Sequence, residues 1–208
     1  MAVLDHLVLA TTDLAGTTAA VGAAVGITPS PGGRHVGLGT ANTLLSFGDG
    51  SYLEVIGPDP TQGAVDAARP FGIDGLSGEA RLVAFAARVE GIDEVVARAR
   101  SMGYDPGEPR AMQRATPDGG LISWQLTSPP AWADGAVPFL IDWGSTRHPS
   151  ATASAGATLG GFAIGHPEPE RIEAALAAIG IDVPVTKTEA PTLSVVITGP
   201  AGSMLLTG

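Results

Sequence analysis

Two polar side chains stand where apolar residues are expected. His6 lies inside Leu4-Asp5-His6-Leu7-Val8-Leu9-Ala10, and Glu54 lies inside Ser51-Tyr52-Leu53-Glu54-Val55-Ile56. A carboxylate in an apolar strand is costly to bury without a partner. Neighbouring strands run ~4.8 Å apart, so side chains from two of them can converge on one ion. An imidazole with a carboxylate suits Zn, Mn, Fe or Ni. The plainer alternative is a structural pairing of Glu54 with His6 or with an arginine. Strand alternation puts Leu4, His6 and Val8 on one face and Asp5, Leu7 and Leu9 on the other.

Further candidates surround this pair. His35 follows Gly32-Gly33-Arg34. The glycines let the chain turn closely, and an Arg–His pair suits an anionic or carbonyl substrate; an exposed loop histidine is the alternative. His35 and Glu54 are the candidates for moving a proton. Asn42 either anchors that loop or reaches a pocket. Aligning Tyr52–Ile56 with Ser123-Trp124-Gln125-Leu126-Thr127 sets Gln125 where Glu54 stands. Gln125 can then supply a metal ligand or a substrate hydrogen bond, or it is simply polar on a half-exposed strand. Trp124 reads as core or as pocket wall beside it. Trp143 follows Asp142 and precedes Arg147 and His148. An aromatic wall near cations suits a planar or anionic small molecule, while ordinary core packing explains the tryptophan equally well.

The elements that position these residues repeat along the chain. Apolar runs open at Leu4, Arg81 and Leu159, and each leads into a helical stretch that stops at a glycine, Gly26, Gly103 or Gly180. Asp13, the Asp93-Glu94 pair and the Pro169-Glu170 pair are start signals; the glycines suit left-handed C-caps. Short strands follow each helix: 42–47 and 51–56 about the turn Gly48-Asp49-Gly50, 121–126 after Pro117-Asp118-Gly119-Gly120, and 192–197 and 203–206 about Gly199-Pro200-Ala201-Gly202. The run 137–143 reads as a further strand. The pattern is α+β, each unit a strand, a helix and then two or three antiparallel strands. It divides into a first unit at 1–58, a connecting loop at 59–80 with a short helix at 62–68, a second unit at 81–145, and a third βαββ-like unit at 157–208.

Composition removes several classes of function. The formal net charge is −10 and Lys187 is the only lysine, so phosphate backbones are repelled and no nucleic-acid partner is expected. With no cysteine, disulfides, thiolate nucleophiles and thiolate-bound metals are excluded. No apolar run approaches the ~20 residues that span a bilayer, and Met-Ala-Val-Leu-Asp-His has neither part of a signal peptide. The expectation is a cytoplasmic protein of bacterial type with no membrane partner. No dinucleotide fingerprint, Walker loop or Gly-x-Ser-x-Gly elbow occurs.

The motifs together resemble the glyoxalase-like domain branch of the vicinal oxygen chelate superfamily, which includes bleomycin resistance proteins and dioxygenases. The resemblance rests on 4–10, Gly32-Gly33-Arg34-His35, Gly39-Thr40-Ala41-Asn42, 51–56, and Pro138–Gly144 followed by Arg147-His148-Pro149. It implies repeated βαβββ units forming curved mixed sheets, the second unit pairing with the first around a pocket, often with a divalent ion. It puts metal ligands at His6 and Glu54, with Gln125 or His35 completing the shell. The implied chemistry is that of a lyase, isomerase or dioxygenase acting on a small oxygenated molecule. Ala41, Ala84 and Gly161 stand where histidines would add ligands. Those departures favour the rival implied by drug-sequestering relatives, a metal-free small-molecule binding protein. A homodimer is a further expectation.

Overall fold

The computed structural model describes residues 1–208 except Ala64, Asp66, Ala67 and Pro117. Three positions of the expected helix at 62–68, and the first residue of the 117–120 turn, lie outside the described residues.

The first unit runs β1 (Val3–Ala10), α1 (Leu14–Val25), β2 (Ser30–His35), β3 (Thr40–Ser46) and β4 (Tyr52–Pro58). The second runs β5 (Arg81–Arg88), α2 (Ile92–Ser101), β6 (Arg110–Ala115), β7 (Leu121–Leu126) and β8 (Phe139–Asp142). Their strands close into one barrel in the order β1-β4-β3-β2-β6-β7-β8-β5. In each half the first strand pairs in parallel with the last, β1 with β4 and β5 with β8. Two antiparallel seams join the halves: the long β1–β5 ladder, and the β2–β6 pairing at Arg34 and Ala115.

Local signals set the helix ends. Asp13 caps α1 by accepting from the Gly16 N–H, and Gly26 ends it in the left-handed region. α2 starts after Gly91, also left-handed, and carries Asp93 and Glu94 in its first turn, where their charge opposes the helix dipole.

Strands β2 and β6 carry little apolar alternation, because Pro31, Gly32 and Gly33 occupy one and arginines the other. The glycine pair has a steric reason. A Cβ on Gly33, whose φ is 150°, would strike the Ala115 carbonyl and the Arg114 guanidinium. A Cβ on Gly32 would strike the Asn42 amide and Leu44. Glycine lets the seam close around two side chains.

The third segment, β9 (Thr158–His166), α3 (Pro169–Ile179), β10 (Val185–Lys187), β11 (Thr192–Gly199) and β12 (Gly202–Thr207), forms a separate sheet ordered β10-β9-β11-β12. Here the first strand lies inside the sheet, and the last stands at its edge, paired with β11. One face of this sheet packs on the outside of the barrel. Leu193, Val195, Ile197 and Leu206 share a core with Leu7, Leu9, Val21, Val25 and Phe85, and the Phe162 ring meets Phe85 edge-on at 5.0 Å. A second apolar cluster, built from Val8, Ile56, Ala86, Trp124, Phe139, Ile141 and Trp143, lines the barrel interior.

Candidate functional site

The barrel encloses a cavity of about 560 Å³ whose wall includes His6, His35, Asn42, Tyr52, Glu54, Arg114, Trp124 and Trp143. Each polar member arrives by strand parity. On β4, Tyr52, Glu54 and Ile56 point inward; on β6, Arg110, Met112 and Arg114 do; on β7, Trp124 and Leu126 do.

The first strand breaks simple alternation. Leu4 pairs with Ala87 and His6 with Ala86, leaving Asp5 as an inserted residue. This β-bulge shifts the phase, so Leu4 packs with the outer core while His6 keeps the inner face. The expected grouping of Leu4 with His6 and Val8 is therefore corrected. The bulge also lets two consecutive side chains meet: His6 Nδ1 lies 2.6 Å from Asp5 Oδ1.

Asp5 is fully buried and gathers three ring donors. His6 Nδ1 reaches one oxygen; His148 Nε2 at 2.8 Å and Trp143 Nε1 at 3.1 Å reach the other. His148 Nδ1 accepts from the Ser150 N–H, so its Nε2 carries the proton given to Asp5. Burial raises the Asp5 carboxyl, but the hydrogen bonds from His148 and His6 outweigh it and hold the group well below the ordinary range. An ionised Asp5 obliges His6 to carry its proton on Nδ1. His6 Nε2 is thereby turned toward Glu54, 3.6 Å from Oε2.

Glu54 is 6 % exposed. Its Oε1 accepts from Asn42 Nδ2, which leaves Asn42 Oδ1 buried without a partner among the described residues. His35 Nε2 stands 4.0 Å from the same Oε1, and His35 Nδ1 is 3.1 Å from the Thr40 hydroxyl. Burial lowers the His35 pKa, against the pull of the Glu54 charge. A contact of 3.6 Å is too long for a hydrogen bond, so Oε2 has no hydrogen-bond donor among the described residues. Tyr52 stacks on His6 at 4.7 Å; burial, with the Asp5 and Glu54 charges, pushes its phenol far above the ordinary value, so it stays neutral.

Several candidates lie elsewhere. Gln125 is exposed on the outer face of β7, because Trp124 takes the inward position; the alignment also matched Glu54 to the wrong strand, since β8, which pairs in parallel with β5 as β4 does with β1, is the counterpart of β4. Arg34 points outward, opposite in parity to His35, and its Nε donates to Asp59 Oδ2 at 2.7 Å. Asp142 also points outward and accepts from the Gly91 and Ile92 N–H groups at the start of α2. Arg147 is exposed and off the cavity wall. His148 stands behind Asp5, not on the wall. Ala84 lines the cavity, whereas Ala41 alternates with the inward Asn42 and Gly161 lies exposed in the second sheet. Sequence reasoning passed over Asp5, Tyr52 and Arg114. The Asp-His dipeptide was the available signal for Asp5; Arg114 gave none, because β6 itself was not legible.

Residues 4–180 match the family described as Glyoxalase-like domain. The chain belongs to that family, within the vicinal oxygen chelate superfamily. No curated protein matches the sequence. Among solved structures, a hypothetical protein from Staphylococcus aureus is similar at TM-score 0.66 and 15 % identity, over 100 % of this chain and 85 % of that one. At this identity the likeness speaks to fold alone, second sheet included. Methylmalonyl-CoA epimerase from Mycobacterium tuberculosis is similar at TM-score 0.46 and 19 % identity, over 68 % and 87 % of the two chains. A variant of the Streptomyces coelicolor methylmalonyl-CoA epimerase, in complex with 2-nitronate-propionyl-CoA, is similar at TM-score 0.44 and 20 % identity, over 68 % and 97 %. No helix among the described residues is long and apolar enough to cross a membrane.

A divalent ion is the group this superfamily implies. His6 Nε2 and Glu54 Oε2 are spaced as two ligands of one ion would be, since bonds of ~2.1 Å at a tetrahedral angle separate donors by ~3.4 Å. The third donor is what fails. His35 lies on the other oxygen, which Asn42 already holds, and Gln125 is outside the barrel. Among the described residues no three His, Asp or Glu side chains are placed to hold one metal ion together. The residues present do not form a complete protein shell for a transition metal.

Proposed function

We propose that the barrel cavity binds a small molecule with an apolar body and an oxygenated end, and that Glu54 exchanges a proton with it. The observation that carries this reading is the Glu54 carboxylate. It is buried in a mostly apolar cavity, is steadied at Oε1 by Asn42, and presents Oε2 beside His6. Such a group is a general base awaiting a proton donor. The base removes a proton next to a carbonyl; His6, oriented by Asp5, stands where it can share that proton. Tyr52 stays neutral and can donate a hydrogen bond. The outcome is isomerase or lyase chemistry.

The test follows carbon-bound protons of α- and β-oxo acids in D2O by NMR. Wild-type protein should accelerate exchange, and Glu54→Gln should reduce it by about 10²–10⁴-fold. Equal exchange by the two proteins would sink the proton-transfer reading.

A second reading is supported by the wall itself. Phe71, Trp124, Phe139 and Trp143 make an aromatic lining, which suits metal-free sequestration of a planar ligand. Tight binding without Glu54-dependent exchange favours that alternative. A stoichiometric, micromolar Zn, Mn, Fe or Ni site, abolished by both His6→Ala and Glu54→Gln, would instead move the reading to metal-dependent chemistry.

A further inference from the structure

Arg114 is the cation in the cavity wall that the proton-transfer reading leaves unused. It is 5 % exposed. Its Nη1 donates to the Gly32 carbonyl, and none of the ion pairs among the described residues includes it. A guanidinium has five N–H donors and does not lose its proton in proteins. One hydrogen bond to a backbone carbonyl therefore leaves a buried cation with donors to spare; the Glu54 charge attracts it without forming an ion pair with it, so an anion bound at the guanidinium would complete the arrangement. Arg110, two positions along the same inward row, is exposed at the cavity mouth and repeats the charge, against Asp134 of opposite sign at the rim. Between the two arginines lies Met112, and around them Trp124 and Leu126 offer apolar surface.

We propose that Arg114 is the anion anchor of this cavity and that its ligands are small monocarboxylates with an apolar body. The carboxylate pairs with the guanidinium, a geometry that guanidinium and carboxylate share. The apolar body lies against Trp124, Met112 and Phe139. A purely structural arginine would serve only to tie β2 to β6 through Gly32. The two roles separate cleanly, because glutamine keeps an amide donor for that carbonyl and loses the charge. This assignment rests on the cavity being the binding site, as in the proton-transfer reading, but it does not need Glu54 to act as a base.

The experiment is calorimetric titration with phenylacetate and with its neutral isostere phenylacetamide. Wild-type protein should bind the carboxylate roughly tenfold or more tighter than the amide, a difference of about 1.4 kcal/mol. Arg114→Gln should erase that preference by weakening carboxylate binding far more than amide binding, and Arg114→Lys should keep part of it. Thermal unfolding and near-UV dichroism confirm that each variant is folded. Equal binding of the two compounds by wild type, binding of neither, or a preference that survives in Arg114→Gln overturns the proposal. Should Arg114→Gln fail to fold, the wild-type preference and its retention in Arg114→Lys still decide the matter. Loss of exchange in Glu54→Gln with phenylacetate preference intact would show that the two readings stand or fall separately.

Discussion

The barrel and the second sheet start from one local recipe, an apolar strand leading into a glycine-stopped helix, and end with opposite contents. The barrel turns its strands around a common interior, so polar side chains from β1, β2, β3, β4 and β6 meet there. The second sheet stays open. It spends one face on the outer core of the barrel and leaves Leu205 on the other face exposed. Their histidines show the contrast. His6 and His148 both serve a buried carboxylate, while His166 accepts the Glu168 N–H at 3.0 Å near the start of α3. A strand–helix unit becomes a site only when a second unit closes over it; alone, it packs.

Three perturbations would break or sharpen that contrast. The largest effect is expected at Asp5. Asp5→Ala strands three ring N–H groups in the interior and should cost about 3–5 kcal/mol in urea unfolding. His166→Ala, in the second sheet, removes one acceptor for a backbone N–H and should cost about 1–2 kcal/mol. Equal losses would erase the distinction between a polar site and a local cap. Next comes Phe162→Ala, which removes a half-buried ring from the seam with Phe85. It should destabilise by about 2–3 kcal/mol yet leave phenylacetate affinity within about twofold. A much larger loss of affinity would make the second sheet part of the site.

The smallest effect is in pH. His35 has its pKa lowered below the ordinary 6.5 by burial, so the unfolded chain binds a proton that the folded chain refuses. Stability should then rise with pH through about 6.5, and fall on acidification by up to about 1.4 kcal/mol per unit. His35→Asn should flatten that limb. Asp5 acts at lower pH and with the same sign. Its depressed carboxyl contributes fully above the ordinary value of 3.8, and the contribution is lost as pH drops toward its folded value. An unchanged slope in His35→Asn would place another group in control.

Much of this was legible from residue types alone. The capping signals at Asp13, Gly26 and Gly180 are local chemistry, satisfied within a turn of the chain, and they appear where composition puts them. Strands β1, β3, β4, β7 and β8 are apolar enough to read directly, and with them the inward pairing of His6 with Glu54. What tertiary structure alone decided is phase and closure. One inserted residue at Asp5 reverses which neighbours share a face, and no periodic pattern announces an insertion. Closure also decided which strand answers β4: it is β8, and on β7 Trp124 faces inward while Gln125 faces out. Strands β2 and β6 lack apolar alternation because their pairing is held by backbone bonds, glycine clearance and a buried arginine. Those are long-range contacts, and only the closed barrel brings Arg114 to the cavity wall.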